Sequence, residues 1–214
     1  MSQRTPTSQH PRVDLDALAA GQGVNSREAI AALMKIYADV DARNAKNTPG
    51  LDLPCHRGCD ACCHESVFLT PLEFYCVWDW VQTHLDDATR SAVVERGLEL
   101  FEKNRALIEA LEGPPPAGER DHLRVAQQLR FTCPLLGPDG ACRVYPVREI
   151  YARLFGCSFN DEGGIYGCHI VAGHLAGKVV TLLPVRGTAR RLNDLPLTHK
   201  RQVYPYYLHQ LYGG

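Results

Sequence analysis

The cysteines carry most of the chemistry this chain has to offer, and four of its nine stand within nine residues, Cys55-His-Arg-Gly-Cys59-Asp-Ala-Cys62-Cys63. Thiolates are soft ligands that select zinc, cuprous copper or iron–sulfur clusters. Two of them separated by two or three residues let one tight turn aim both sulfurs at a single centre. Cys55, Cys59 and Cys62 have that spacing, and Gly58 gives the backbone the freedom a chelating knuckle needs. The adjacent side chains of Cys62 and Cys63 are expected to diverge, so they would serve different metal atoms of a cluster unless one is spare. The plainer reading makes the same residues small buried hydrophobes or a redox disulfide.

A second group follows at Cys133-Pro-Leu-Leu-Gly-Pro-Asp-Gly-Ala-Cys142. Pro138-Asp139-Gly140 is a turn signal, predicting a tight β-hairpin or knuckle that draws the two flanking cysteines together. Cys157 and Cys168 come next, each beside a glycine. The candidate metal ligands are therefore Cys55, Cys59, Cys62, Cys63, Cys133, Cys142, Cys157 and Cys168. Eight residues separate Cys133 from Cys142 and fourteen separate Cys142 from Cys157. This irregularity suits a shared centre, or a pair of centres, better than two duplicated four-cysteine zinc knuckles. Cys76 stands among aromatic residues with no partner at ligand spacing and reads as core. His56, His64, His169 and His174 lie close to cysteines but are left outside the ligand set, because a lone histidine is more often solvated or hydrogen-bonded.

The elements that must position these thiols read as helices. Asp14–Ala20 is a short opening segment, and Asn25 with Glu28 marks a capped start for a helix whose Ile30, Leu33, Met34, Tyr37 and Val40 share one face. Ser66–Leu69 reads as extended. Thr70-Pro71-Leu72-Glu73 is a strong helix start, with threonine as cap, proline in the first turn and glutamate reaching back. That helix, to about His84, is apolar on two sides and so belongs in the middle of the protein. A longer helix runs from Asp87 to about Leu111 and stops at Gly113-Pro-Pro-Pro116. Pro114–Gly118 is a surface connection, and Glu119–Leu129 is expected to form a further helix. The fold expected is mainly α: a small single-domain helical scaffold over residues 13–214, with irregular cysteine-rich loops and a short β-hairpin around a metal site, after a disordered leader over residues 1–12.

A hydrophobic share of 45% and a charged share of 22% are ordinary globular values and point to neither disorder nor a membrane class. A net charge of −1 gives no electrostatic case for nucleic acid as partner. Without an apolar leader or a run long enough to span a bilayer, a cytoplasmic protein is expected. In a reducing compartment nine cysteines do not persist as a disulfide framework, which favours metal binding.

The run from Cys55 to Cys63, its continuation His64-Glu-Ser-Val-Phe-Leu-Thr-Pro-Leu-Glu73, and the later Cys133-Pro-Leu-Leu with Cys142-Arg-Val-Tyr145 and Arg148 resemble the CxxCxxCC cysteine-cluster family, described as a zinc- or iron-chelating domain. The cysteine pattern is also similar to that of flagellin lysine N-methylases. The resemblance spans about Cys55 to Cys157. It implies an iron–sulfur cluster, of 4Fe-4S type, or zinc, together with an unidentified small-molecule or protein substrate. One motif departs from the family: Arg-Pro-x-x-Cys-Arg reads here as Arg148-Glu-Ile-Tyr-Ala152-Arg153. Alanine cannot coordinate. Either Cys157 or Cys168 substitutes for the missing ligand, or the metal has changed, or one iron is left open to substrate.

The leading expectation is thus a metal-chelating protein, with a modification reaction such as methyl transfer, or a redox reaction, at its centre. No glycine-rich dinucleotide loop supports a Rossmann-type cofactor. Arg148 and Arg153 are candidates to bind an anionic group or to stabilise cluster sulfides, unless they pair with carboxylates such as Glu149 or Asp161. The rivals are a zinc-stapled interaction module, with Tyr204-Pro-Tyr-Tyr-Leu208 and Tyr212 as its patch, although aromatic residues at this spacing more often close the core, and a thiol-redox sensor built on the neighbouring pair.

Overall fold

The computed structural model describes residues 10–112 and 128–213. The connection expected at Pro114–Gly118 lies outside them, as does the helix expected over Glu119–Leu129 apart from its last two residues.

Capping chemistry sets the helix starts. Asp14 accepts from Ala17 N to open α1 (Leu15–Ala20), and Asn25 accepts from Glu28 N to open α2 (Ser26–Asn47). Strand β1 (Phe68–Leu69) leads into α3 (Pro71–His84), whose start is a complete capping box between Thr70 and Glu73. Helix α4 (Asp87–Ala110) begins on Asp86. Leu33, Tyr37 and Val40 of α2 are buried as their spacing requires, while Ile30 and Met34 sit at the rim. Cys76 is buried on α3, its thiol against the Met34 sulfur at 3.8 Å.

Beyond the second cysteine group the elements are short: α5 (Ile150–Leu154), β2 (Ser158–Phe159), β3 (Ile165–Tyr166), α6 (His169–Leu175), β4 (Leu183–Pro184), α7 (Val185–Ala189), β5 (Gln202–Val203) and α8 (Tyr204–Tyr212). β5 returns to pair antiparallel with β1. β2 lies between β3, antiparallel, and β4, parallel. α8 then lies along α4, so close that a Cβ added at Gly97 would stand 2.2 Å from Leu208 Cδ1. The protein is mainly helical, a single compact domain. No helix among the described residues is long and apolar enough to cross a membrane.

Glu73 does more than cap its helix. Completely buried, it accepts hydrogen bonds from Thr70 N, Thr70 Oγ1, Tyr37 Oη, Ile150 N and Arg201 Nη1. A charge taken out of water needs such a full set of partners. One carboxylate therefore joins α2, α3, the start of α5 and the approach to β5, and so sets where the segment carrying Arg148 and Glu149 lies.

One expectation changes, and one alternative is resolved. Of the leader, residues 1–9 lie outside the described residues, whereas His10 and Arg12 are tied down: Arg90 donates to the His10 carbonyl at 2.7 Å and Arg12 pairs with Asp87. The carboxyl-terminal aromatic residues belong to the core and not to a surface patch. Tyr204, Tyr207 and Leu208 are buried, Phe74 stacks on Tyr207 at 4.7 Å, and Trp78 donates to the Tyr212 hydroxyl.

Candidate functional site

The two cysteine segments meet along their lengths. Gly58 (φ +91°) and a turn from Cys59 N to the His56 carbonyl shape the first loop, and Cys62 and Cys63 lie on a 3₁₀ turn, Ala61–His64. Cys133 N donates to the Cys63 carbonyl at 2.7 Å, fastening one end of this loop to the second segment. At the other end a Cβ on Gly140 (φ +71°) would lie only 3.0 Å from the Gly58 carbonyl oxygen, so the loop tips touch backbone to backbone. Arg57 and Asp139 pair across this junction at 3.4 Å; both are exposed, so water screens the pair and it contributes little. The second segment is a knuckle with a single antiparallel bridge, Leu136 to Cys142, rather than a laddered hairpin.

Cys157 and Cys168 arrive by a device the sequence reading missed. They flank the β2–β3 hairpin, whose register sets Ser158 against Tyr166. Its turn is made by Asn160, which accepts from Gly164 N through its side chain, and by Gly163 (φ +79°). The run Asn160-Asp-Glu-Gly-Gly164 was the available signal. Gly156 and Gly167 abut at the open end of the hairpin: a Cβ on Gly167 would lie 3.0 Å from Gly156 Cα, and one on Gly156 would lie 3.6 Å from Cys55 Sγ. The hairpin base is thereby pressed against the first loop, and His174 of α6, bonded to the Leu51 carbonyl at 2.7 Å, holds the approach to Cys55.

The eight candidate cysteines thus fall into two neighbouring groups that share Cys62. Charge on Cys59, Cys168 and Cys62 is felt at Cys55, and Cys157 feels Cys55. Cys63, Cys133 and Cys142 form the other group, again with Cys62. Cys76 stands apart in the core. Burial pushes the thiols of Cys55 and Cys133 up, and those of Cys142 and Cys157 to about 11 each. Cys157 is further satisfied by donating to the Arg153 carbonyl at 3.1 Å. Cys62 and Cys63 stand side by side on the 3₁₀ turn, and the interaction of their thiols lowers the pKa of Cys62 and raises that of Cys63. All nine cysteines are unbridged, and among the described residues no three or more His, Cys, Asp or Glu side chains stand ready-made around one metal-sized point.

The two arginines separate cleanly. Arg153 is buried and fully engaged, with Asp41, with the carbonyls of Arg148 and Pro146, and over the Tyr37 ring. It is a structural clamp. Arg148 pairs with neither carboxylate proposed for it, since Glu149 takes the Tyr204 hydroxyl and Asp161 takes Arg186. Its guanidinium lies over Tyr145 at 4.1 Å, its Nε is buried without a partner, and its charge favours the thiolates of Cys55, Cys62, Cys142 and Cys157. Burial raises the pKa of Glu149, and in its carboxylate form Glu149 works against ionisation of Cys62, Cys133 and Cys142. The histidines have other partners: His64 bonds Asp60 and Thr132, and His56 the Arg57 carbonyl.

No family model, no curated protein and no solved structure matches this chain in comparisons with known proteins.

Proposed function

We propose that this chain is a metal-holding protein whose two cysteine segments take up an iron–sulfur cluster, with zinc as the alternative occupant. The observation that carries the reading is the 2.7 Å hydrogen bond from Cys133 N to the Cys63 carbonyl, which joins two segments seventy residues apart in sequence at the cysteines themselves. The donor set fits in type and number: eight thiols exceed the four that a single tetrahedral zinc accepts, which favours a polynuclear centre. Cys157 and Cys168 supply sulfur that Ala152 cannot. The pull of a metal on thiols that burial keeps protonated is what would draw them into a coordination shell, with release of protons. Arg148 would offset the negative charge of the thiolates. Similarity to the CxxCxxCC family and to flagellin lysine N-methylases extends the proposal to a modification or redox reaction at the metal, on a small-molecule or protein substrate.

Anaerobic purification followed by iron, sulfide and zinc analysis and an absorption spectrum tests this. Iron with matching sulfide and a brown chromophore is the expected result, and a colourless protein with stoichiometric zinc eliminates the cluster. Cys62→Ser and Cys142→Ser should lose metal, whereas Cys76→Ala should keep it at a small cost in stability.

A second reading, a thiol-redox pair, draws on the adjacency of Cys62 and Cys63 on one 3₁₀ turn, where the neighbouring thiol pulls the pKa of Cys62 down to about 6 and pushes that of Cys63 up. Thiol titration of protein stripped of metal decides it: rapid alkylation of a single thiol near neutral pH, lost in Cys62→Ser, would favour this reading.

A further inference from the structure

Behind the second knuckle, on the side facing α4, lies a cleft of about 630 Å³, within the roughly 300–1,000 Å³ typical of small-molecule sites. Ala92, Leu100, Leu136 and Pro138 give it apolar walls, and Arg96 and Arg143 both line it. Arg96 donates one bond, to the Pro134 carbonyl at 2.7 Å, and this bond fixes the knuckle to α4. The rest of its guanidinium has no partner among the described residues, although Glu99 lies one helical turn away, where such pairs commonly form. The Arg143 side chain has neither hydrogen bond nor ion pair among the described residues, and its Nε is buried. A buried donor without an acceptor is a standing cost that a ligand oxygen removes. Gly137 leaves space beside the donor: a Cβ there would collide with Asp139 Oδ1 at 2.6 Å and stand 3.7 Å from Arg143 Nε.

We propose that this cleft binds a small organic oxyanion, a carboxylate or phosphate monoester on an apolar body, with Arg96 and Arg143 as its two cationic anchors. Two planar guanidinium forks offer the paired N–H donors that oxyanions accept, and the alanine, leucine and proline walls exclude water from the remainder of the ligand. Cys133 also lines the cleft, so an occupant rests against one wall of the cysteine site. The proposal goes beyond the metal reading and stands whether or not the thiols carry metal.

Calorimetric titration of the full chain at low salt with benzoate, phenyl phosphate and inorganic phosphate tests it. At least one aromatic anion should bind, and severalfold more tightly than inorganic phosphate; the tighter of the two identifies the head group. Arg96→Gln and Arg143→Gln should each weaken binding by roughly tenfold, the loss of one charge-assisted hydrogen bond. Ala92→Trp, at an exposed position on α4, should abolish binding by filling the cleft while leaving circular dichroism and metal content unchanged. The proposal is overturned if neither aromatic anion binds, if inorganic phosphate binds as tightly as both, or if folded Ala92→Trp binds like the parent.

Discussion

Gly140 and Glu149 show how single residues hold the cysteine end together. Gly140 combines a left-handed backbone with an approach of 3.0 Å to the Gly58 carbonyl, so alanine there meets both a conformational and a steric penalty. Gly140→Ala should destabilise the fold by about 1–2 kcal/mol and lower metal uptake, as read by thermal melting and elemental analysis. Glu149 poses an electrostatic question. Burial raises its pKa above the ordinary 4.5, so the folded state binds a proton more tightly than the unfolded chain. Its contribution to stability is full below 4.5 and is lost as pH rises through the raised folded value. Glu149→Gln, which can still accept from the Tyr204 hydroxyl, should therefore flatten the dependence of stability on pH above 4.5. Urea denaturation at several pH values measures that slope, and an unchanged slope would place the titration elsewhere.

Among the elements, the contact of α4 with α8 is the tightest. Glycine inside a helix normally costs about 1 kcal/mol relative to alanine, so Gly97→Ala on propensity alone should stabilise α4. Packing reverses the sign. The new Cβ would stand 2.2 Å from Leu208 Cδ1 and 3.2 Å from Leu208 Cβ, and Leu208 is itself 1% exposed, with little room to swing aside. A net loss of about 1–3 kcal/mol is expected, measured as a lower denaturant midpoint. The β2–β3 hairpin works on the same scale for the site: two short strands and an asparagine–glycine turn bring Cys157 and Cys168 to the first cysteine loop.

Across the whole molecule, the carboxyl-terminal stretch closes the core. β5 completes the sheet with β1, and Tyr204, Tyr207 and Leu208 fill the space between α3 and α4. A chain ending at Asn193 loses these side chains and Arg201, a partner of Glu73. It should fail to unfold cooperatively in circular dichroism melts. A truncated chain that kept a sharp transition would return these aromatic residues to the role of a dispensable surface.

The local chemistry of the chain was legible from its residues: the caps at Asn25 and Thr70, the inward face of α2, the core position of Cys76, and the concentration of thiols at Cys55–Cys63. These follow from interactions within a few residues, where spacing along the chain equals spacing in the fold. Only tertiary structure decided the rest. The fastening of Cys63 to Cys133, the meeting of Gly58 with Gly140, the separate roles of Arg148 and Arg153, and the five hydrogen bonds gathered by Glu73 all join residues tens of positions apart. Such contacts depend on which helix faces pack together, and no local periodicity encodes that choice.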